Sequence, residues 1–156
     1  MDFAISPATA QDAAAIAALL KSAFTEFEAL YTPEAFAATV LSPAAIFTRL
    51  AEGPLWIARC KSLPIGAVGA LRSPDSVLVR GMAVAPSARG LGAGKLLLDQ
   101  VEHFARQEGV STLALYTTNF LDRAICLYRA SGFAFTGDKA NPHGTELLRM
   151  VKVLTL

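Results

Sequence analysis

Residues 77–117 constrain the fold of this chain more than any other stretch. Val77 to Val84 is a β-branched run, Pro86 opens a turn, and Arg89-Gly90-Leu91-Gly92-Ala93-Gly94 follows. An amphipathic helix comes next, with Leu97, Val101, Phe104 and Ala105 on one face and Lys95, Asp99, Glu102 and Arg106 opposite. Gly109 ends it, and Thr112 to Thr117 is a second strand. Strand, helix and strand in this order imply a right-handed crossover between parallel strands. Three glycines in the strand-to-helix turn leave backbone N–H groups uncovered where a helix N-terminus carries its partial positive charge. Such a turn suits phosphate oxygens, with Arg89 adding a full charge.

Spacing separates the phosphate loops that this turn could be. A Walker A loop needs Gly at position 89 and Ser or Thr at 96, which hold Arg89 and Leu96. The dinucleotide pattern G-x-G-x-x-G fails because Lys95 stands where its third glycine belongs. What remains is Arg-x-x-Gly-x-Gly behind Val84-Ala85-Pro86. This arrangement resembles the pyrophosphate loop of the GNAT superfamily of N-acetyltransferases, which hold acetyl-CoA.

The rest of the chain bounds the answer without specifying it. At 156 residues it is long enough for one domain that buries roughly 70% of its unfolded surface. The formal charge is +1, from 14 basic and 13 acidic residues in no run of either sign, so no nucleic-acid partner is expected. Mean hydropathy is +0.43, yet no uninterrupted apolar stretch nears 18 residues, so no membrane span is expected either. Met1-Asp2 precedes no signal-like apolar core. Cys60 and Cys126 lie apart with no metal-ligand spacing, which suggests two buried free thiols, no metal and a cytoplasmic location.

Periodicity places a strand at 3–6 and a helix capped by Thr9 running to about Phe24. An aromatic and acidic stretch, Phe24 to Tyr31, shows no clear period. Helices start at Pro33 and Pro43, after the candidate caps Thr32 and Ser42. Strands at 55–60 and 65–72 are expected to flank a turn containing Pro64. A helix over about 120–131 and a hairpin of 133–135 with 146–153 around a polar loop complete the chain. The fold class is α/β (α+β): a mixed, mostly antiparallel sheet flanked by helices, in the order β-α-α-β-β-β-α-β-α-β-β. That order is similar to the GNAT fold over nearly the whole chain and most specifically over 77–135.

The resemblance also implies roles. The backbone N–H of Met82 would polarise the thioester oxygen, and Val84 would pair with the pantetheine arm. Residues 89–95 (Arg89, Gly90, Leu91, Gly92, Ala93, Gly94, Lys95) would cradle the pyrophosphate. Asn119 would meet the arm, and Tyr128 would be the general acid at the sulfur. Other roles for these residues stand beside those. Gly81 marks either a bulge, where another chain approaches, or a weak point in the strand. Asn119 with Asp122 also reads as a helix cap. Tyr128 extends the apolar stripe of Leu121, Ala124 and Ile125. The carboxylate that several family members place on the strand before the loop is absent, since Leu78 occupies that position. Glu26 and Glu28, with Phe24, Phe27 and Tyr31, offer an acidic, aromatic wall for an amine; solvated loop residues and a water base are the alternatives.

The resulting expectation is a single-domain acetyl-CoA-dependent N-acetyltransferase, passing acetyl directly to a small-molecule or peptide amine in a ternary complex. A catalytically silent CoA-binding sensor or interaction module is the alternative. The apolar run Leu147 to Leu156 suggests a homodimer.

Overall fold

A computed structural model describes residues 2–155. Seven strands form one sheet in the order β1-β2-β3-β4-β5-β7-β6, with β1 at Ala4–Pro7, β2 at Leu55–Cys60, β3 at Leu63–Arg72, β4 at Val77–Val84, β5 at Thr112–Thr117, β6 at Ala134–Ala140 and β7 at Leu147–Val153. Five helices flank it: α1 (Ala13–Phe24), α2 (Pro33–Thr39), α3 (Pro43–Glu52), α4 (Ala93–Gln107) and α5 (Asp122–Ala130). All ladders are antiparallel except β4–β5, the crossover implied by residues 77–117.

Local chemistry explains the starts. Thr9 and Asp12 form a reciprocal capping box, the Asp12 carboxylate accepting the Thr9 N–H at 2.8 Å. The box encloses a 3-10 turn, Ala10–Asp12, so α1 begins four residues after its cap rather than at it. Thr32 and Ser42 accept the N–H groups of Ala35 and Ala45, with Pro33 and Pro43 in the first turn, as the spacing predicts. Both helices form, so three helices join β1 to β2 where the expected order counts two.

Two strand boundaries differ from expectation. The β2–β3 turn is Lys61-Ser62, both at positive φ (50° and 68°), and Pro64 lies inside β3 opposite Arg59, where the register shifts. Proline is tolerated at such a bulge because the ladder bond it cannot donate is already interrupted. β6 extends to Ala140 through a second register shift between Phe135 and Lys139, which absorbs the polar residues expected to be loop.

Each sheet face carries its own core. On one, Leu97, Val101 and Ala105 of α4 pack with Trp56, Val68, Val77, Leu113 and Met150. On the other, Ile16 and Leu20 of α1 and Ile46 of α3 pack with Ile57, Ala67 and Ala83. Ala67 and Val68 are adjacent and serve opposite cores, as the period-two alternation of a strand buried on both faces requires. β7 is paired on both edges, by β5 and β6, and Met150 and Leu154 are buried. Of the apolar run behind the homodimer expectation, Met150 and Leu154 are thus used inside the chain, while Val153 is exposed.

Candidate active site

β4 and β5 pair only at Val77–Leu113 and Leu78–Ala114, then part. The gap holds a cleft of about 240 Å3, walled by residues 78–82 of β4, residues 115–118 of β5 and beyond, and Tyr128 of α5. Gly81 sits at φ +65° where the β3–β4 register slips, so Gly81 and Met82 together oppose Val68. This is a glycine-led bulge. The Ala85 N–H donates to the Ile65 carbonyl of β3 at 2.8 Å. Strand alternation therefore turns the N–H groups of Met82 and Val84 to the other edge, the one β5 has left.

The glycine turn stands against this wall. A Cβ on Gly94 would lie 2.7 Å from Leu127 Cδ2 and 3.3 Å from Met82 Cε, so a larger residue here would push the tips of both side chains aside. Gly90 (φ +79°) and Gly92 (φ +93°) hold the positive φ the turn needs, and a Cβ on either would meet nothing within 4 Å. Gly92 caps α4 without any side-chain acceptor, leaving first-turn N–H groups for an external anion. Leu91 is exposed and Ala93 buried, so both contribute backbone. Lys95 is exposed and paired with Asp99 at 2.9 Å.

Arg89 departs from expectation. Its Nη1 lies 2.5 Å from Glu26 Oε1 and its Nη2 donates to the Ala23 carbonyl at 3.0 Å. The guanidinium thus ties the glycine turn to the end of α1 and the 3-10 segment Thr25–Leu30 behind it. The residues of the expected acidic, aromatic wall are divided between two places. Phe24 and Tyr31 line the cleft, but Glu26, Phe27 and Glu28 do not. Glu26 serves Arg89, Glu28 is exposed, and Phe27 packs on Phe120 with ring centroids 6.1 Å apart.

Two arginines stand in the cleft instead. Arg49 of α3 and Arg80 of β4 line it, and no carboxylate does. Arg80 Nη2 reaches Glu52 at 2.9 Å, while its Nε is buried without a partner. Arg49 has no ion pair or side-chain hydrogen bond among the described residues. Burial, and then the neighbouring Arg80 charge, push its pKa below the usual arginine range, partly offset by Glu52. The hydroxyl of Thr117 is also buried and unpaired, while that of Thr118 is buried beside Tyr31. An unpaired buried polar atom costs about 1–3 kcal/mol, so Arg80 Nε and the Thr117 hydroxyl are two groups at one cleft that an occupant can satisfy. The sequence held one clue to Arg49: with Ile46 and Leu50 it shares the inward stripe of α3.

Tyr128 is both core and cleft residue, packed on Phe133 with ring centroids 6.0 Å apart. Burial, with the neighbouring Tyr31, raises its pKa to about 12. It is therefore a hydrogen-bond donor at any ordinary pH and a poor proton donor. Burial raises Tyr31 as well, against the hydroxyls of Thr118 and Thr39 beside it. Asn119 is exposed and does not cap α5, whose cap position is Leu121. Cys60 is half-buried and Cys126 exposed, so the expectation of two buried thiols fails for the second. The β6–β7 loop is pinned beside Tyr31: Thr32 donates through its N–H to Thr145 Oγ1 (2.9 Å) and through its hydroxyl to the His143 carbonyl (2.5 Å). The His143 ring does not line the cleft. Among the described residues no cluster of three or more His, Cys, Asp or Glu could hold a metal. No described helix is long and apolar enough to cross a membrane.

A family model described as acetyltransferase (GNAT) family matches residues 14–133. A mouse protein described as probable N-acetyltransferase family 8 member 5 is 38% identical over 93 residues, which are 56% of this chain and 41% of that protein. Streptothricin acetyltransferase of Streptomyces lavendulae is 43% identical over 68 residues, 43% of this chain and 36% of that one. The chain thus spans less than half the length of these curated relatives. Among solved structures, the PaiA N-acetyltransferase of Thermoplasma acidophilum, in complex with coenzyme A, superposes with a TM-score of 0.81 at 16% identity, covering 98% of this chain and 99% of that one.

Proposed function

The chain belongs to the GNAT acetyltransferase family, and on that premise we propose that it transfers acetyl from acetyl-CoA directly to a primary amine in a ternary complex. One observation carries this reading: Met82, on the free edge of a parted strand pair, lies beside the N-terminus of a helix capped by no side chain, its Cε 3.3 Å from where a Cβ on Gly94 would stand. Acetyl-CoA brings an acyl group already activated as a thioester. The open turn at Gly90 and Gly92 fits its pyrophosphate, held through backbone N–H groups of residues 90–95. Arg89, engaged by Glu26, acts on the shape of that turn rather than on the phosphate charge. The free N–H groups of Met82 and Val84 serve the arm as an added strand would, with Asn119 at its flank. Met82 polarises the carbonyl, and Tyr128 hydrogen-bonds the departing sulfur.

A cationic amine must also become a nucleophile without a carboxylate base in the cleft lining. An alkylamine of pKa about 10.4 is mostly protonated at pH 7. Burial in a cleft lined by no carboxylate side chain disfavours that charge and lowers the amine's pKa, so water suffices to take the proton. The N–C bond then forms as the C–S bond breaks, alignment in the cleft supplying most of the rate.

Thiol release from acetyl-CoA across a panel of primary amines, with the N-acetyl product identified by mass, tests the proposal. Release with at least one class of amine is expected. The missing carboxylate favours a catalytically silent module as the second reading, and binding without release on any amine would establish it.

A further inference from the structure

We infer that Arg49 and Arg80 form an anion subsite, and that the acceptor is a small amino acid whose carboxylate binds there. The inference rests on the acetyltransferase reading and specifies its acceptor. Both arginines line the cleft, and its lining contains no Asp or Glu. Of the two, only Arg80 has an acidic partner, Glu52 at 2.9 Å. The Arg49–Arg80–Glu52 group therefore keeps one uncompensated positive charge at the cleft wall. The unpartnered Arg80 Nε supplies a buried donor. A carboxylate there matches the planar fork of a guanidinium group, gives Arg49 and the Arg80 Nε an acceptor, and offsets both the burial of the Arg49 charge and its repulsion by Arg80.

Position sets how far the anion stands from the reacting nitrogen. Arg49 Nη1 would lie 3.6 Å from a Cβ on Gly81. Gly81 precedes Met82, and adjacent Cα atoms are about 3.8 Å apart. An anion at Arg49 would thus stand beside the bulge that carries Met82, near enough for the carboxylate and the attacking amine to belong to one small molecule. The remaining wall combines the hydroxyls of Thr39, Thr117 and Thr118 with an apolar part, Phe24, Tyr31, Leu121 and Leu147, which suits an apolar amino-acid side chain. A polyamine or a lysine side chain in a peptide offers no carboxylate at that distance.

The test compares leucine and phenylalanine with their amides and with isoamylamine and phenethylamine, by thiol release at saturating acetyl-CoA. The free acids are expected to exceed the matched carboxylate-free amines in kcat/KM by at least tenfold, mainly through KM. In Arg49→Gln that preference should collapse about tenfold, and Arg49→Lys should restore part of it. Thermal stabilisation by acetyl-CoA checks that each variant is folded. Equal or better turnover of the carboxylate-free amines would overturn the inference and leave acetyl transfer standing. So would a preference unchanged in Arg49→Gln, since a purely structural arginine lowers acids and amines alike. No release with these compounds, alongside release with another class of amine in the wider panel, would overturn this inference and leave acetyl transfer standing; no release with any amine would overturn both.

Discussion

Tyr128 shows why a residue's chemistry has to be weighed with its surroundings. A phenol raised to about 12 is a far weaker acid than a thiol of pKa about 8.5, so protonating the leaving sulfur is uphill, whereas a hydrogen bond to it is not. Tyr128→Phe should lower kcat by roughly threefold to thirtyfold, about 0.7–2 kcal/mol, and leave acetyl-CoA affinity within about twofold. Steady-state kinetics and calorimetric titration read the two quantities. The kcat profile between pH 6 and 10 should carry no inflection that disappears in Tyr128→Phe. Gly92, at φ +93°, tests the turn in the same way. Gly92→Val forces a branched side chain into backbone space open to glycine, at about 1–3 kcal/mol. It should weaken acetyl-CoA binding by tenfold or more in the same titration. Residue identities on the donor side were legible in the sequence because turn geometry demands glycine. Arg49 was legible only as a member of the inward stripe of α3, because its place in the cleft comes from how α3 lies against β4.

At the level of elements, caps and ties decide how the acceptor wall is held. Asp12 is kept below the usual carboxylate range first by the Thr9 N–H, with Arg59 at 2.7 Å adding to it and burial opposing. A lowered folded-state pKa means its stabilisation is complete above the unfolded value, about 3.9, and is lost as pH falls through the folded value. Asp12→Ala should therefore destabilise the fold by about 0.5–2 kcal/mol at pH 7, with the difference from the parent narrowing below pH 4 in urea unfolding. The Arg89–Glu26 pair ties the donor turn to the 3-10 segment at Thr25–Leu30. Glu26→Gln should weaken acetyl-CoA binding by twofold to fivefold through a looser turn; an effect above a hundredfold would mean that Glu26 meets the ligand itself. The strand, turn and helix of 77–117 could be read directly, since period two, glycine spacing and an amphipathic face agree there. The pairing of Glu26 with Arg89 could not, because it joins segments brought together only by tertiary packing. The same holds for β6, where a register shift lets polar residues continue a strand that alternation alone would have ended.

For the molecule as a whole, one sheet with a core on each face supports a gap between two of its own strands. The structure tolerates that opening because each parted strand keeps its other partner, β3 for β4 and β7 for β5. A ligand filling the gap should act as a missing piece of the fold. Acetyl-CoA at 100 times its Kd should stabilise the chain by about 2.7 kcal/mol, a rise in Tm of roughly 5–10 °C, which a nucleoside triphosphate should not reproduce in differential scanning fluorimetry. The most direct measurement of the central claim is a crystal structure with coenzyme A. The account predicts pyrophosphate oxygens within hydrogen-bond distance of the N–H groups of residues 90–95, the arm along Met82 and Val84, and the sulfur beside Tyr128. Coenzyme A bound away from the β4–β5 gap, or in it with the pyrophosphate clear of the glycine turn, would contradict it.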